Sequence, residues 1–310
     1  MKAISHIFFT ILFSVNCFGQ TSEQYTDNSL IDISEDNFKA AIEKLDKAIN
    51  LTPTNFWAYE LRASAKMSLE GYQGAISDFD YLIERFGSTK NSTSTQVEHY
   101  KMRGLCYFYL LNYLSSIEDF NLAIQFNQNE ADLYSNRANS YEALNQFEKA
   151  IEDLNIAIKL NPSNDKNYYN RGTSKFKLKD YTGAISDFNK AIEFNPIYGM
   201  AYANRGASKL RLEDYRGAIQ DFNKSIELNP NEETSFTNRG TCKLKLEDYR
   251  GAIQDFNIAL SINRISSRAY LNRGLCKIGI KEKDSGCMDL SKAGELGETN
   301  AYELIKRFCH

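Results

Sequence analysis

The sequence predicts an all-α protein built as a solenoid of stacked helical hairpins, and three observations predict it. An arginine recurs every 34 residues, at Arg103, Arg137, Arg171, Arg205, Arg239 and Arg273. Apolar residues around it fall at three- and four-residue steps, the spacing that puts side chains on one face of a helix. All four prolines, Pro53, Pro162, Pro196 and Pro230, share one register just past the second apolar run, where a missing N–H does no damage.

The chain opens differently. Residues 1–19 carry Lys2, an apolar stretch over 7–15, and small or polar residues around Cys17 and Gly19, the pattern of a secretory signal peptide. The apolar stretch is shorter than the ~20 residues of a spanning helix, so cleavage near Gly19 is expected, with no membrane span afterwards. A lipid-anchored version through Cys17 is the lesser alternative, because Asn16 is bulkier than the small residue such signals favour. The expected location is exported, either periplasmic or secreted.

Residues 20–54 read as a degenerate first repeat. Its first helix, around residues 25–33, is weakly patterned, whereas Phe38, Ala41, Leu45, Ala48 and Pro53 already hold the repeat register. Seven full repeats then occupy 55–297. Arg62 begins the arginine series 41 residues before Arg103, and the seven-residue excess falls in the Ser- and Thr-rich stretch 87–96, which reads as a lengthened surface loop.

Within each repeat, an aromatic stands three residues before the arginine (Tyr59, Tyr100, Tyr134, Tyr168, Tyr202, Phe236, Tyr270) and Gly or Ala one after. A second aromatic stands ten after, from Tyr72 to Tyr249, and is lost only at Lys283. An Asp stands sixteen after, from Asp78 to Asp289, and small residues such as Ala184 and Ala218 stand thirteen after, where two helices must approach closely. This yields two amphipathic helices of about three turns with a polar turn between them.

A 34-residue unit with this order of aromatic, Gly, aromatic, Ala, aromatic, Ala and Pro resembles the tetratricopeptide repeat. Residues 168–196 carry the likeness in one stretch, and it extends over nearly the whole chain after residue 20. The resemblance implies a right-handed α-α superhelix whose concave groove is lined by the first helix of each pair. One unit cannot bury its own apolar face, so stacking supplies the core. Residues 298–310 read as a capping helix, with Tyr302, Leu304, Ile305 and Phe308 against the stack and Glu303, Lys306 and Arg307 outward.

The recurring Arg stands where this family usually has an apolar residue between paired helices, so Arg and Asp read as a buried ionic ladder rather than a binding site. Immediately before the Arg stand Asn136, Asn170, Asn204, Asn238 and Asn272. In the family that register faces the groove, and a row of amides can hydrogen-bond the backbone of an extended peptide; it is similar to the asparagine ladder of the O-linked N-acetylglucosamine transferases. Capping or bridging between neighbouring helices is the alternative.

Groove positions on the same helix face add Lys166, Lys177, Arg211, Lys245 and Arg268 toward the C-terminal half, against Trp57, Glu98 and Asp132 earlier, a polarity suited to orienting an extended ligand. A solvated face without a ligand is the alternative. Chaperone-binding members of the family hold a terminal carboxylate. Lys101, Asn136 and Lys166 match their registers, but Leu105 stands where an Asn belongs and Asn170 where an Arg belongs.

Composition narrows the function. The chain is 42% hydrophobic with a net charge of -3, which leaves no cationic surplus for nucleic acid. His99 and His310, the only histidines beyond the leader, lie in no catalytic or metal-ligating arrangement, and no phosphate-cradling Gly motif is present. Beyond the leader the cysteines are Cys106, Cys242, Cys276, Cys287 and Cys309, with no C-x-x-C pair. Export permits a disulfide, and Cys287 with Cys309 is the expected pair. No catalytic residue, metal or cofactor is expected. The expected partner is a protein or peptide held in the groove; the alternative is an assembly component of the cell envelope that docks through its convex face or its ends.

Overall fold

The computed structural model describes residues 20–86 and 93–309. Residues 1–19, where the signal peptide and Cys17 are expected, and residues 87–92 of the insertion lie outside the described residues. Those described are helical throughout, without a strand. They divide at Asn112 into two compact units.

The first unit holds α1 (Ser22–Ser34), α2 (Phe38–Leu51), α3 (Phe56–Ser68), α4 (Tyr72–Phe86) and α5 (Thr93–Tyr109). The second holds α6 (Tyr113–Phe126), α7 (Ala131–Ala143), α8 (Phe147–Leu160), α9 (Asp165–Lys177), α10 (Tyr181–Phe194), α11 (Gly199–Arg211), α12 (Tyr215–Leu228), α13 (Glu233–Lys245), α14 (Tyr249–Ile262), α15 (Ser267–Gly279), α16 (Lys283–Glu295) and α17 (Asn300–Phe308). Inside each unit every helix packs on the next, as the solenoid predicted from the sequence requires.

Three of the hairpin turns are written into three residues. In α9 to α10, Leu178 ends one helix, Lys179 takes a left-handed φ of 65°, and Asp180 caps the next by accepting the Gly183 N–H at 2.9 Å. Asp214 and Asp248 repeat the cap on Gly217 and Gly251. A Cβ on any of these glycines would come within 2.2 Å of the capping carboxylate, so a larger residue there displaces the cap. The sequence suggests a polar turn; the left-handed residue eight after each Arg is the structural reason, and it is never glycine at any of the eight hairpin turns where it occurs, from Asp36 to Lys281.

Small and large residues alternate to close the hairpin. Phe188, Phe222 and Phe256 are fully buried, as are Ala184, Ala218 and Ala252 on the same helices. The ring of Phe222 lies so close to Gly206 that a Cβ there would meet it at 3.0 Å. This accounts for Gly one residue after the Arg.

Two expectations need correction. The stretch 87–96 is not a loop throughout, because Thr93 begins α5 four residues before the equivalent start in other repeats. Gln96 and Val97 are buried, so the added turn gains contacts that a Ser/Thr-rich composition conceals. In α17, Ala301 is the fully buried residue, while Leu304, Ile305 and Phe308 are half-buried. Tyr302 is 56% exposed, its ring lying over Gly294 rather than entering the stack. Cys287 and Cys309 are joined, with Cα atoms 5.8 Å apart, which ties the end of α17 to α16.

Candidate functional site

In the second unit the first helices of successive hairpins, α7, α9, α11, α13 and α15, also touch one another. They approach more closely than any two second helices do, so they form the inner side of the curve in that unit. The candidate site is this first-helix wall, and its chemistry depends on which side chains the stack consumes and which it leaves.

The arginines are consumed. Arg171 donates from Nε and Nη2 to both oxygens of Asp187, at 3.0 and 2.6 Å, and from Nη1 to Asn155 at 2.7 Å. Asp187 is sixteen residues ahead on the second helix of the same hairpin, and Asn155 sixteen behind on that of the preceding one. Arg137, Arg205, Arg239 and Arg273 repeat the arrangement. Arg62 does the same with Asp78 and Asp46 in the first unit. Arg103 there reaches Asp80, 23 residues behind, which is the usual sixteen plus the seven inserted. Each guanidinium also lies 5.2–5.7 Å from the aromatic centroid three residues before it, as in Arg205 over Tyr202. The expected ionic ladder is present, and its backward bond was not foreseen.

Sequence reasoning also missed a lysine four residues after the Arg. Lys175, Lys209, Lys243 and Lys277 each pair with the same Asp at 2.7–2.8 Å. Its 34-residue recurrence was a readable signal. At Tyr141 the lysine is absent, and burial pushes the Asp153 carboxyl above its ordinary value against the pull of Arg137.

The five amides lie on the seam between neighbouring first helices. Asn136, Asn170, Asn204 and Asn238 are half-buried, and Asn272 is buried at 9% exposure. Three of them donate backward: Asn170 to Asn139 at 2.9 Å, Asn204 to the Tyr169 hydroxyl at 3.1 Å, and Asn272 to Thr241 at 3.1 Å. These three bridge helices, the alternative weighed from sequence, and keep the amide oxygen for other use. For Asn136 and Asn238 no side-chain partner is found among the described residues.

The basic groove residues stand apart. Lys166, Lys177, Arg211, Lys245 and Arg268 are all exposed, and none makes a salt bridge with another described residue. Lys177, Arg211 and Lys245 end α9, α11 and α13, so they recur once per hairpin. Beside Lys177, Glu142 accepts a short hydrogen bond from Ser174. Its carboxyl is pushed up by burial, opposed by Ser174 and then by Lys177. Between α9 and α11, Tyr169 and Tyr198 pack at 4.8 Å, with Ile197 and Met200 exposed beside them.

Among the described residues no group of three or more His, Cys, Asp or Glu is placed to hold a metal ion. His99 is buried, with Nε2 at 2.7 Å from Glu60. Burial pushes the Cys242 and Cys276 thiols up to about 12. No described helix is long and apolar enough to cross a membrane.

Stacked antiparallel helix pairs in a 34-residue register, with the first helices forming one wall, define a helical-repeat solenoid. The family model described as tetratricopeptide repeat matches residues 131–164, 166–198 and 200–232, so these three units are tetratricopeptide repeats. Among solved structures it is similar to YrrB, described as a tetratricopeptide-repeat protein with an unusual peptide-binding site: 23% identical, TM-score 0.54, over 61% of this chain and 99% of that one. It is similar to PilF of Pseudomonas aeruginosa, 18% identical with TM-score 0.60, over 70% of this chain and all of PilF. A chain of the APC/C hetero-tetramer Cut9-Hcn1 is 16% identical, with TM-score 0.61, over 96% of this chain and 57% of that one. At these identities the likeness establishes the fold. No curated protein matches in sequence.

Proposed function

We propose that the protein is a non-catalytic scaffold that holds an extended, acidic segment of a partner protein along the first-helix wall of its second unit. One observation carries this reading. Every Arg and Lys at the two inner registers of α9, α11 and α13 is paired with Asp, whereas Lys177, Arg211 and Lys245 on the same helices carry charge that no carboxylate of the stack neutralises by a salt bridge. Charges repeated at one per hairpin suit a chain laid across the hairpins, and the amide oxygens of the asparagine row add acceptors for its backbone N–H groups. The peptide-binding site for which YrrB is described supports the same use of the fold. The leader over 1–19 supports a place outside the cytoplasm, periplasmic or secreted.

The test is binding of a fluorescent Asp/Glu-rich twelve-residue peptide at low and high salt. The K177E/R211E/K245E variant should lose at least tenfold in affinity, and the wild type should weaken as salt rises. Asn136→Ala with Asn238→Ala, which breaks no described bridge, should weaken binding further. Equal binding by wild type and charge-reversed protein of unchanged helicity would remove the reading. A second reading is docking through the second-helix face in an envelope assembly, favoured by exposed Leu114, Ile258 and Ile262. Under it these variants are silent in co-purification while Ile258→Glu is not.

A further inference from the structure

The first unit contains a cleft of about 560 Å³ between the start of α1 and the start of α3. Its lining includes Ser22, Glu23, Thr26, Asp27, Asn55 and Trp57. Trp57 is the only tryptophan of the chain and is 44% exposed, an unusual placement for the residue with the most apolar surface to hide.

Every side-chain donor on the floor of the cleft is engaged. Ser22 donates to the Ala48 carbonyl at 2.8 Å and Thr26 to the Ser22 carbonyl at 2.8 Å. Asn55 donates to both hydroxyls, at 2.9 and 3.0 Å, and its own oxygen accepts the Ala58 N–H at 3.1 Å. These bonds fix the shape of the cleft; the exposed Thr52 and Thr54 complete its rim, and Glu23, Asp27 and Trp57 bring its charge and its ring. Glu23 and Asp27 are exposed, one turn apart on the same face of α1, and neither is salt-bridged to another described residue. The nearby cations are engaged elsewhere, Lys44 with Asp32 at 2.6 Å and Lys47 over Tyr25.

A helix N-terminus accounts for an acid in its first turn, which is Glu23, but not for Asp27 a turn later. Like charges four residues apart oppose the helix that carries them. Two unneutralised carboxylates beside an open indole form the pair of features that attract an organic cation, by charge and by the ring face together.

We propose that this cleft binds an alkylammonium or guanidinium group, either a lysine or arginine side chain of a partner or a free amine, and that it does so independently of the acidic-segment reading of the second unit. The class follows from the lining, since an anion would face two carboxylates, with only the Thr52 and Thr54 hydroxyls and the indole N–H to donate to it.

The sole tryptophan makes the site directly observable. Fluorescence of the full chain is titrated with butylammonium chloride, with acetyl-Ala-Lys-Ala-amide, and with sodium chloride and 1-pentanol as the charge-only and shape-only controls. A saturable change is expected with the two cations and with neither control, and an at least tenfold loss of affinity in the E23Q/D27N variant, whose amides keep the shape of the acids. Tighter binding of the tripeptide by tenfold or more assigns the site to a partner's side chain, and equal affinity assigns it to a free amine. A response to sodium chloride or pentanol equal to that of butylammonium overturns the proposal. So does undiminished binding by E23Q/D27N with its helicity intact. The shift of the Trp57 indole N–H in a proton–nitrogen spectrum gives the same comparison for any variant whose fluorescence is quenched.

Discussion

Arg205 and Asp221 are locked by two parallel hydrogen bonds, Nε to Oδ2 at 3.0 Å and Nη2 to Oδ1 at 2.6 Å, and Lys209 holds Oδ2 as well at 2.8 Å. One carboxylate thus serves two cations, and the pair is nearly closed to water on the Asp side. Breaking a buried pair by removing one partner costs about 3–5 kcal/mol, because the other is left uncompensated. Asp221→Ala orphans two cations and Arg205→Ala none, so D221A is expected to lower stability in urea by more than R205A. At Arg137 no lysine shares Asp153. R137A should therefore cost more than R205A, by about 1 kcal/mol. Equal midpoints for the two arginine variants would contradict the shared-carboxylate account.

Glu213 sits in the hairpin turn with φ 64°. A non-glycine residue pays about 1–2 kcal/mol in this region, and glycine returns part of that through its looser unfolded state. Glu213→Gly is expected to raise stability by about 0.5–1 kcal/mol, read as a higher urea midpoint at unchanged slope. A lower midpoint would show that the Glu side chain does something the turn geometry does not reveal.

Glu142 holds its proton above the ordinary value of 4.5 because burial disfavours its charge, with Ser174 and Lys177 acting in the opposite direction. Since the folded state then binds the proton more tightly than the unfolded state, its contribution to stability falls as pH rises from 4.5 through the raised native value. Glu142→Gln removes this dependence. The variant is expected to gain on the wild type between pH 4 and pH 8 in thermal unfolding, and a constant difference across that range would count against the burial argument.

Cys242 and Cys276 are fully buried, with thiols near 12. Iodoacetamide at pH 8 should leave both unmodified in the folded protein and alkylate both in 6 M guanidinium, as read by peptide mass. Rapid labelling of the native chain at either position would mean that the hairpins open locally on the time scale of the reaction.

The helices, their order and the ladder of Arg and Asp were legible because each rests on a local rule repeated many times. A 34-residue arginine period, a three-residue turn and a proline register each specify the same hairpin. The backward bond of each Arg was not legible from one repeat, since its partner stands in the previous one; Asn155, Asn189 and Asn223 recur at 34 residues but carry no apolar signal. The asparagine row shows the same limit. Whether an amide is spent depends on the preceding repeat: Asn139 and Thr241, each 31 earlier, take Asn170 and Asn272, and Tyr169, 35 earlier, takes Asn204, whereas Asn238 finds Ala207 and Ala203 at those two positions. A pairwise reading across repeats separates the bridging amides from the open ones, and a position-by-position reading cannot. The extra turn of α5 was hidden by composition, because Ser and Thr there are carried into a helix by the burial of Gln96 and Val97.

The backward grip of the arginines makes the array's length an adjustable quantity. Excising residues 199–232 leaves Arg239 facing Asn189 in place of Asn223, the same amide in the same register, so a shortened chain reknits without a mismatched seam. Growth and loss of whole modules by gene duplication or deletion are therefore chemically silent at the joints. The length of the first-helix wall can change in steps of one hairpin while every hairpin keeps its own anchorage.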